Sequence, residues 1–219
     1  TENDQDTEAV RLLHRALRGG APAILHCRVH QVLARRHLVE GADHRNAVRE
    51  MQKALATNAQ PDRRLFLALE EELTRIHDRR RRARLLARIP ATWRTRSDIT
   101  FVRARLLFHA DRLEAALELL RTHTFSVYEG GFGVRRLYID TLLALGLKFL
   151  QRNQTAEAEH CLRDILVYPE NVGAGENHGE HGRLARFLLG WIAMQQGLGA
   201  AARTLWEEVR GPDHTKAYI

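Results

Sequence analysis

Cysteine and aromatic residues are scarce in this chain of 219 residues, and each shortage excludes a class of protein. The 2 cysteines, Cys27 and Cys161, lie far apart, and neither has a second cysteine or a zinc-finger spacing beside it. A disulfide framework is therefore excluded, and buried, reduced thiols are expected. Aromatic residues make up 6% of the chain and β-branched runs are short, which favours helices over strands.

Long apolar runs are also missing. The best candidate for a membrane span, residues 142–150, is far shorter than the roughly 20 residues that a bilayer requires, and it contains Lys148. Residues 1–6 are acidic and polar, unlike a signal peptide. We therefore expect a cytoplasmic protein with no membrane partner. Because the chain begins with Thr1 instead of Met, a longer parent protein and a removed export signal both stay open.

Acidic residues are fewer than basic ones, and the excess positive charge is concentrated in one region. The formal net charge is +7, and residues 61–96 hold eleven arginines against five acidic residues. Five of the six residues at positions 79–84 are arginine. Such a cluster favours either a solvated helix face or a surface for an anionic partner.

Apolar residues recur at helical spacing in one segment after another. Each set lies three or four residues apart, as on one face of a helix. The sets are Phe66, Leu69, Leu73 and Ile76; Leu113, Ala116, Leu117 and Leu120; Tyr138, Leu142, Leu145 and Phe149; Ala158, Cys161, Leu162 and Ile165; Leu184, Phe187, Leu188 and Trp191; and Ala202, Leu205, Trp206 and Val209.

The helices are predicted to form antiparallel hairpins that repeat along the chain. Most links between the periodic segments are too short for any other arrangement. A small residue recurs early in the second helix of each predicted pair, where two helices cross closely. These residues are Ala47, Ala83, Ala116, Ala158 and Ala202, at separations of 36, 33, 42 and 44 residues. The tetratricopeptide period is about 34 residues.

The last two hairpins resemble tetratricopeptide repeats in detail. Residues 189–190, Gly197, Ala202 and Trp206 have the spacing of the Leu-Gly pair, turn glycine, alanine and aromatic of that family. Residues 145–146, Ala158, Leu162 and Pro169 match in the same way, and Ala104, Leu113, Ala116 and Leu120 match more loosely. The resemblance implies an all-α fold of about ten helices, with hairpins stacked in a right-handed superhelix around a concave surface. We predict a single domain with units 21–58, 62–90, 97–123, 134–169 and 182–210.

Two glycine-rich inserts explain the long separations, and they carry a second resemblance. Residues 125–133 read Phe-Ser-Val-Tyr-Glu-Gly-Gly-Phe-Gly, and residues 168–175 read Tyr-Pro-Glu-Asn-Val-Gly-Ala-Gly. Two such loops, one hairpin apart, resemble the helical-repeat region of a bacterial family of unknown function, in which the repeats follow a β-rich region similar to sugar mutarotases. Here Tyr128 stands where that family has Trp, the segment after Gly175 is His-rich, and no mutarotase-like region is present.

The loops have two interpretations. In the structural one, glycines permit tight turns and aromatics plug the ends of helix pairs. In the functional one, the loops lie side by side and form a site for a protein segment or a carbohydrate-like ligand. The candidate ligand-binding residues are Tyr128, Glu129, Gly130, Gly131, Tyr168, Glu170 and Asn171.

The sequence gives weaker support for a metal site, a nucleic-acid site or a catalytic site. His178 and His181 are weak metal-ligand candidates, because they lie in a glycine-rich segment and the sequence fixes no third ligand. Arg79, Arg80, Arg82 and Arg84 are the residues that a nucleic-acid-binding alternative would use. However, they point all round a helix and no aromatic residue interleaves with them. No P-loop, nucleophile elbow or zinc-protease motif is present, so neither an enzyme nor a cofactor is expected.

We therefore predict a non-catalytic helical-repeat scaffold. Its expected partner is a protein or peptide segment on the concave face, with a carbohydrate as the second ligand class in a sugar-related system. A basic nucleic-acid-binding module that uses the arginine region is the alternative.

Overall fold

A computed structural model describes residues 2–20, 22–58, 62–125, 131–167, 169–172 and 181–210. Within these ranges the chain is all-α, as predicted, and no strand occurs. The helices are α1 (Glu2–Arg18), α2 (Ala23–Gly41), α3 (His44–Thr57), α4 (Arg63–Arg75), α5 (Arg79–Ala87), α6 (Ser97–His109), α7 (Leu113–Thr122), α8 (Gly131–Gln151), α9 (Thr155–Leu166), α10 (His181–Gln195) and α11 (Gly199–Arg210). Two short 3-10 helices, Ala91–Trp93 and Glu170–Val172, follow α5 and α9.

The chain divides into two compact units, Thr1–Trp93 and Arg94–Ile219. The division falls between predicted hairpins 62–90 and 97–123, so no hairpin is cut. In unit 1, α2 pairs with α3 and α4 with α5. In unit 2 the pairs are α6 with α7, α8 with α9, and α10 with α11, and each hairpin also packs on the next.

All five hairpins turn through a residue in the left-handed region. These residues are Ala42, His77, Asp111, Asn153 and Gly197, with φ between 46° and 78°. In each case the second helix begins two residues later. The turn residue therefore provides a common reference point for comparing positions among the five hairpins.

Four hairpins place a small residue on each helix where the two helices cross. The second helices contribute Ala47, Ala116, Ala158 and Ala202, each 0% exposed and five residues after its turn. On the first helices, Ala104, Gly146 and Gly190 each lie seven residues before the turn, and a Cβ atom at Gly146 would lie 3.7 Å from the Ala158 carbonyl oxygen. In the α2/α3 hairpin the small buried residue is Ala34, eight residues before the turn. Helix backbones this close leave room for nothing larger.

The α4/α5 hairpin departs from this pattern, and the predicted role of Ala83 is wrong. Ala83 is exposed, whereas Arg82 lies five residues after the turn and is only 4% exposed. Its guanidinium donates to Glu70 Oε1 from Nη2 at 2.8 Å and from Nε at 3.2 Å. Glu70, 1% exposed, lies at the position that corresponds to Gly146. A buried ion pair thus replaces the two small residues.

Each unit has its own apolar core. In unit 1, side chains of α2, α3 and α4 meet around Val48, Leu69 and Leu73. In unit 2 the core runs through the helices from Ala104 to Ile192 and includes Leu142 and Leu162, both 0% exposed. The apolar set that the sequence analysis assigned to α10 (Leu184, Phe187, Leu188 and Trp191) is only partly the buried one. Ala185, Leu189 and Ile192 face the core, whereas Leu184, Phe187 and Trp191 are about half-exposed.

The buried ion pair makes a testable prediction for stability. Arg82→Ala alone should lower the free energy of unfolding by roughly 3–5 kcal/mol, because it leaves the Glu70 carboxylate buried without a cation. The double variant Glu70→Ala with Arg82→Ala should recover most of that loss, since it recreates the small-residue crossing of the other hairpins. Urea unfolding of both variants, with Arg80→Ala as the exposed control, measures this. A double variant no more stable than Arg82→Ala alone would contradict this account of the crossing.

Candidate groove and loop site

A surface groove of about 520 Å³ lies in unit 1 among the end of α3, α4, α5 and the following 3-10 helix. We call it the basic groove. Its floor is apolar and includes Leu55, Phe66, Leu85 and Trp93, and its rim carries Arg81, Arg84 and Arg88. The predicted units contain α3, α4 and α5 but not the 3-10 helix Ala91–Trp93, and the sequence analysis assigned no binding role to the groove.

The arginines reach the groove because of their spacing on α5. Residues 81, 84 and 88 are three and four apart, so they share one face of the helix. Arg82 faces the opposite way into the hairpin, where it pairs with Glu70. Its inclusion in the nucleic-acid set is therefore corrected: a buried, paired guanidinium cannot contact phosphates. Arg79, Arg80 and Arg84 are exposed, and of these only Arg84 lines the groove.

The aromatic wall of the groove comes from outside the arginine run. Trp93 ends the 3-10 helix that follows Pro90, and its amide donates to the Pro90 carbonyl at 3.0 Å. The Trp93 ring meets the buried Phe66 ring edge to face, with centroids 5.9 Å apart. Because Phe66 is 4% exposed, Trp93 is the aromatic side chain that a ligand can reach.

The rim of the groove is electropositive. Arg81 pairs with Asp78 at 3.4 Å, whereas no carboxylate of the described residues forms an ion pair with Arg84 or Arg88. Asp62, the acidic residue in the lining, accepts hydrogen bonds from the Leu65 amide and from Gln31. The Asp62 carboxylate therefore caps the N-terminus of α4 and interacts favourably with the dipole of that helix. The guanidinium groups of Arg84 and Arg88 are therefore exposed beside the apolar floor of the groove.

The predicted loop site lies mostly outside the described residues. Tyr128, Glu129, Gly130 and Tyr168 are not among them, and of Gly131 only the backbone position at the start of α8 is described. Glu170 and Asn171 lie in the 3-10 helix Glu170–Val172. Glu170 is exposed, and Val172 beside it is fully buried.

Asn171 binds the end of α7 through its side chain. Its Nδ2 donates to three carbonyl oxygens, those of Leu120 at 2.7 Å, His123 at 2.8 Å and Arg121 at 3.2 Å. The Asn171 carbonyl in turn accepts from the Phe125 amide at 2.7 Å. Carbonyls at a helix C-terminus have no partner within the helix, so this side chain caps α7 from 48–51 residues away. The described flanks of the two loops are thus joined by hydrogen bonds.

His123 extends this junction. Its Nε2 lies 3.0 Å from Ser97 Oγ, and its ring packs edge to face on Phe125 at 4.6 Å. Burial lowers the pKa of His123, which favours the neutral ring at neutral pH. Asn171 and His123 therefore hold the chain in place where the first loop begins. The functional interpretation of the loops stays a prediction, and the amide of Asn171 already has three protein partners.

A second groove, of about 550 Å³, lies in unit 2 and has the opposite charge. Its lining includes Leu117, Leu145 and Phe149, and three glutamates (Glu114, Glu118 and Glu157) outnumber Arg121, which pairs with Asp164. An acidic ligand would be repelled there. Cys161 borders this groove, and burial raises the pKa of its thiol, as it does for Cys27. Both cysteines are free and buried, as predicted.

The side chains of both weak metal-ligand candidates lie outside the described part of the chain. His178 is not among the described residues, and only the backbone position of His181 is described, at the start of α10. In the described ranges no three His, Cys, Asp or Glu side chains are grouped as metal ligands. None of the described helices is both long and apolar enough to cross a bilayer.

Solved structures of similar fold support the repeat assignment. No protein-family model matches the sequence, and neither does the sequence of any curated protein. Two crystal structures of MamA match with TM-scores of 0.54 and 0.51 at 17% identity, covering 88% and 85% of this chain and 94% and 98% of theirs. MamA 41-end from Desulfovibrio magneticus RS-1 matches with a TM-score of 0.52 at 12% identity, covering 87% of this chain and 97% of that one. At such identities the likeness shows the tetratricopeptide-like fold alone.

The cap on α7 predicts how the loop variants behave. Asn171→Ala should lower the free energy of unfolding by roughly 1–3 kcal/mol, because three carbonyls lose their donor. Asn171→Asp should cost at least as much, since a carboxylate oxygen would face carbonyl oxygens. Thermal unfolding followed by circular dichroism measures both, with the exposed neighbour variant Glu170→Ala as the control. An unchanged melting temperature in Asn171→Ala would show that the cap contributes little to stability.

Proposed function

We propose that the chain is a non-catalytic helical-repeat scaffold whose unit 1 binds an acidic protein segment through the basic groove. One observation carries the proposal. Arg84 and Arg88, exposed and without an ion pair among the described residues, stand beside an apolar floor that ends in Trp93. An apolar side chain of the partner fills the floor, and carboxylates on either side of it meet the arginines.

Physical chemistry supports this pairing. Arginine binds carboxylates with a planar, two-pronged donor group, and its stem packs on apolar surface. Tryptophan and arginine are the residues that most often dominate binding energy at protein interfaces. The floor is partly preformed, because Phe66 is buried and holds Trp93 from below. A preformed floor reduces the ordering cost of binding.

A protein segment fits the groove better than a nucleic acid does. Nucleic acid needs several exposed cations along a path and exposed aromatic faces for base stacking. Burial of Arg82 and pairing of Arg81 with Asp78 leave fewer free cations than the sequence run indicates. The aliphatic part of the floor, including Leu55 and Leu85, suits an aliphatic side chain. Nucleic-acid binding is thus the alternative that the experiment must separate.

The carbohydrate-like ligand stays a prediction of the loop resemblance. It would engage the loops of unit 2, so reversing charges in the basic groove would leave it unaffected. The proposed protein partner depends on unit 1 alone.

Binding of short synthetic peptides tests the proposal. The peptides carry one leucine or phenylalanine flanked by glutamates, and affinity is followed by fluorescence anisotropy. We expect the double variant Arg84→Glu with Arg88→Glu to weaken binding by about tenfold or more, because attraction becomes repulsion. Trp93→Ala should weaken binding by a similar factor through loss of apolar contact.

A matched control separates the groove from general charge. Arg152→Glu with Arg203→Glu makes the same charge change at two exposed positions of unit 2 and should alter affinity little beyond the screened long-range term. Peptides with alanine in place of the leucine should bind more weakly. If affinity survives the Arg84 and Arg88 reversal, the proposal is wrong. Tighter binding to single-stranded nucleic acid, lost steeply with salt, would favour the alternative.

A further inference from the structure

The groove of about 550 Å³ in unit 2 lies between α7 and α9, the second helices of two consecutive hairpins. We call it the acidic groove. Helix α8 packs against both of these helices and contributes Leu145 and Phe149 to the lining. Leu117 of α7 and Cys161 of α9 add to its apolar part, and both are buried. Phe149 is only partly buried, so its ring is the aromatic surface that a ligand can reach.

Two carboxylates on α7 line the groove without a cation of their own. Glu114 and Glu118 are four residues apart and therefore share one face of the helix. Both are exposed, and no basic residue in the described part of the chain forms an ion pair with either. Like charges at this spacing destabilise a helix slightly, and a bound cation removes that cost.

The wall formed by α9 adds a third carboxylate, and the arginine of the lining is already paired. Glu157 accepts a hydrogen bond from the Gln154 amide at 3.3 Å. The basic residues of the lining, Arg121 and His160, both approach Asp164, Arg121 in a close ion pair and His160 at 3.7 Å. The groove therefore keeps a negative potential.

The Cys161 thiol responds to this potential. Its pKa is raised by burial above all and then by the charge of Asp164, with a smaller contribution from Glu114, and these effects outweigh the lowering effect of Arg121. The charge of a carboxylate on α7 thus acts on a side chain of α9 that lines the same groove.

Charge complementarity identifies the occupant of the groove as a basic protein segment. The three carboxylates stand on two helices, and within the described ranges no three such side chains are grouped to hold a metal ion. Separate cations along one segment therefore match them better than a single ion does. The apolar lining suits an aliphatic or aromatic side chain of the same segment. A second copy of this chain fits less well, because its unpaired groove arginines surround a depression, and two depressions cannot fill each other.

We propose that unit 2 binds a basic protein segment in the acidic groove. An apolar side chain of the segment contacts Leu117 and Phe149, and lysine or arginine residues on either side of it pair with Glu114, Glu118 and Glu157. Each exposed ion pair contributes modestly, so affinity depends on the apolar contact and several pairs together. The chain thus carries two docking grooves of opposite charge, one in each unit.

Fluorescence anisotropy of a synthetic peptide, one leucine flanked by lysines, tests the charges. Glu114→Lys with Glu118→Lys should weaken binding to the full chain by about tenfold or more, because attraction becomes repulsion. The control Glu170→Lys with Glu207→Lys makes the same charge change at exposed positions of unit 2 outside the groove and should alter affinity little.

A single change keeps the test valid if the double variant folds poorly. Glu114 lies in the first turn of α7, where a carboxylate stabilises the helix, so its replacement carries a cost of its own. Glu118→Lys alone leaves that turn intact and should still weaken binding by about threefold or more. Circular dichroism establishes that each variant folds.

Filling the groove tests the apolar contact without changing charge. Ala156 is an exposed lining residue, so Ala156→Trp obstructs the groove and should weaken binding, as should alanine in place of the peptide's leucine. Affinity that survives the glutamate reversals, or that falls equally in the control pair, would overturn the proposal. Salt-sensitive self-association of the chain in sedimentation velocity, lost in Glu118→Lys, would overturn it in favour of a second copy as the occupant.

Discussion

The close crossing of two helices in each hairpin is the constraint on which the other features depend. Alanine and glycine at the crossing let the backbones approach, and apolar side chains on both sides of it then reach the shared core. The turn, with its left-handed residue, sets how far each helix runs before it crosses. Stacking of successive hairpins follows, because each one leaves apolar surface that only its neighbour can cover.

The α4/α5 hairpin has no small residues at its helix crossing, and this difference also affects which arginines lie on the proposed binding surface. Arg82 enters the crossing and is neutralised by Glu70, so one arginine of the run is removed from the surface. The helical spacing then leaves Arg81, Arg84 and Arg88 on the face that meets Trp93. The same nine-residue helix, together with Arg88 at its C-cap, thus supplies a buried structural cation and the cations of the basic groove.

The sequence was sufficient to predict the helices, the hairpins and the repeat because these depend on local spacing and on small residues at fixed offsets. It misplaced the α5 register, since nothing local marks His77 as a left-handed turn residue or Arg82 as a buried one. Asn171 was singled out as a ligand-binding candidate, but its three partners at and just after the end of α7 lie about fifty residues away and follow only from packing. The ring contact between Trp93 and Phe66 of α4 is likewise non-local. The exposed face of α10 was missed because apolar spacing alone does not say which of two faces lies inside.

The central claim is that an acidic segment binds in the basic groove of unit 1, and hydrogen–deuterium exchange with a saturating acidic peptide tests it most directly. Exchange reports local protection along the whole backbone, so it locates the ligand without assuming a site. The account predicts slower exchange in α5 and in Ala91–Trp93, with little change in α8 to α11. Protection confined to residues of unit 2, with none in α5, would contradict it.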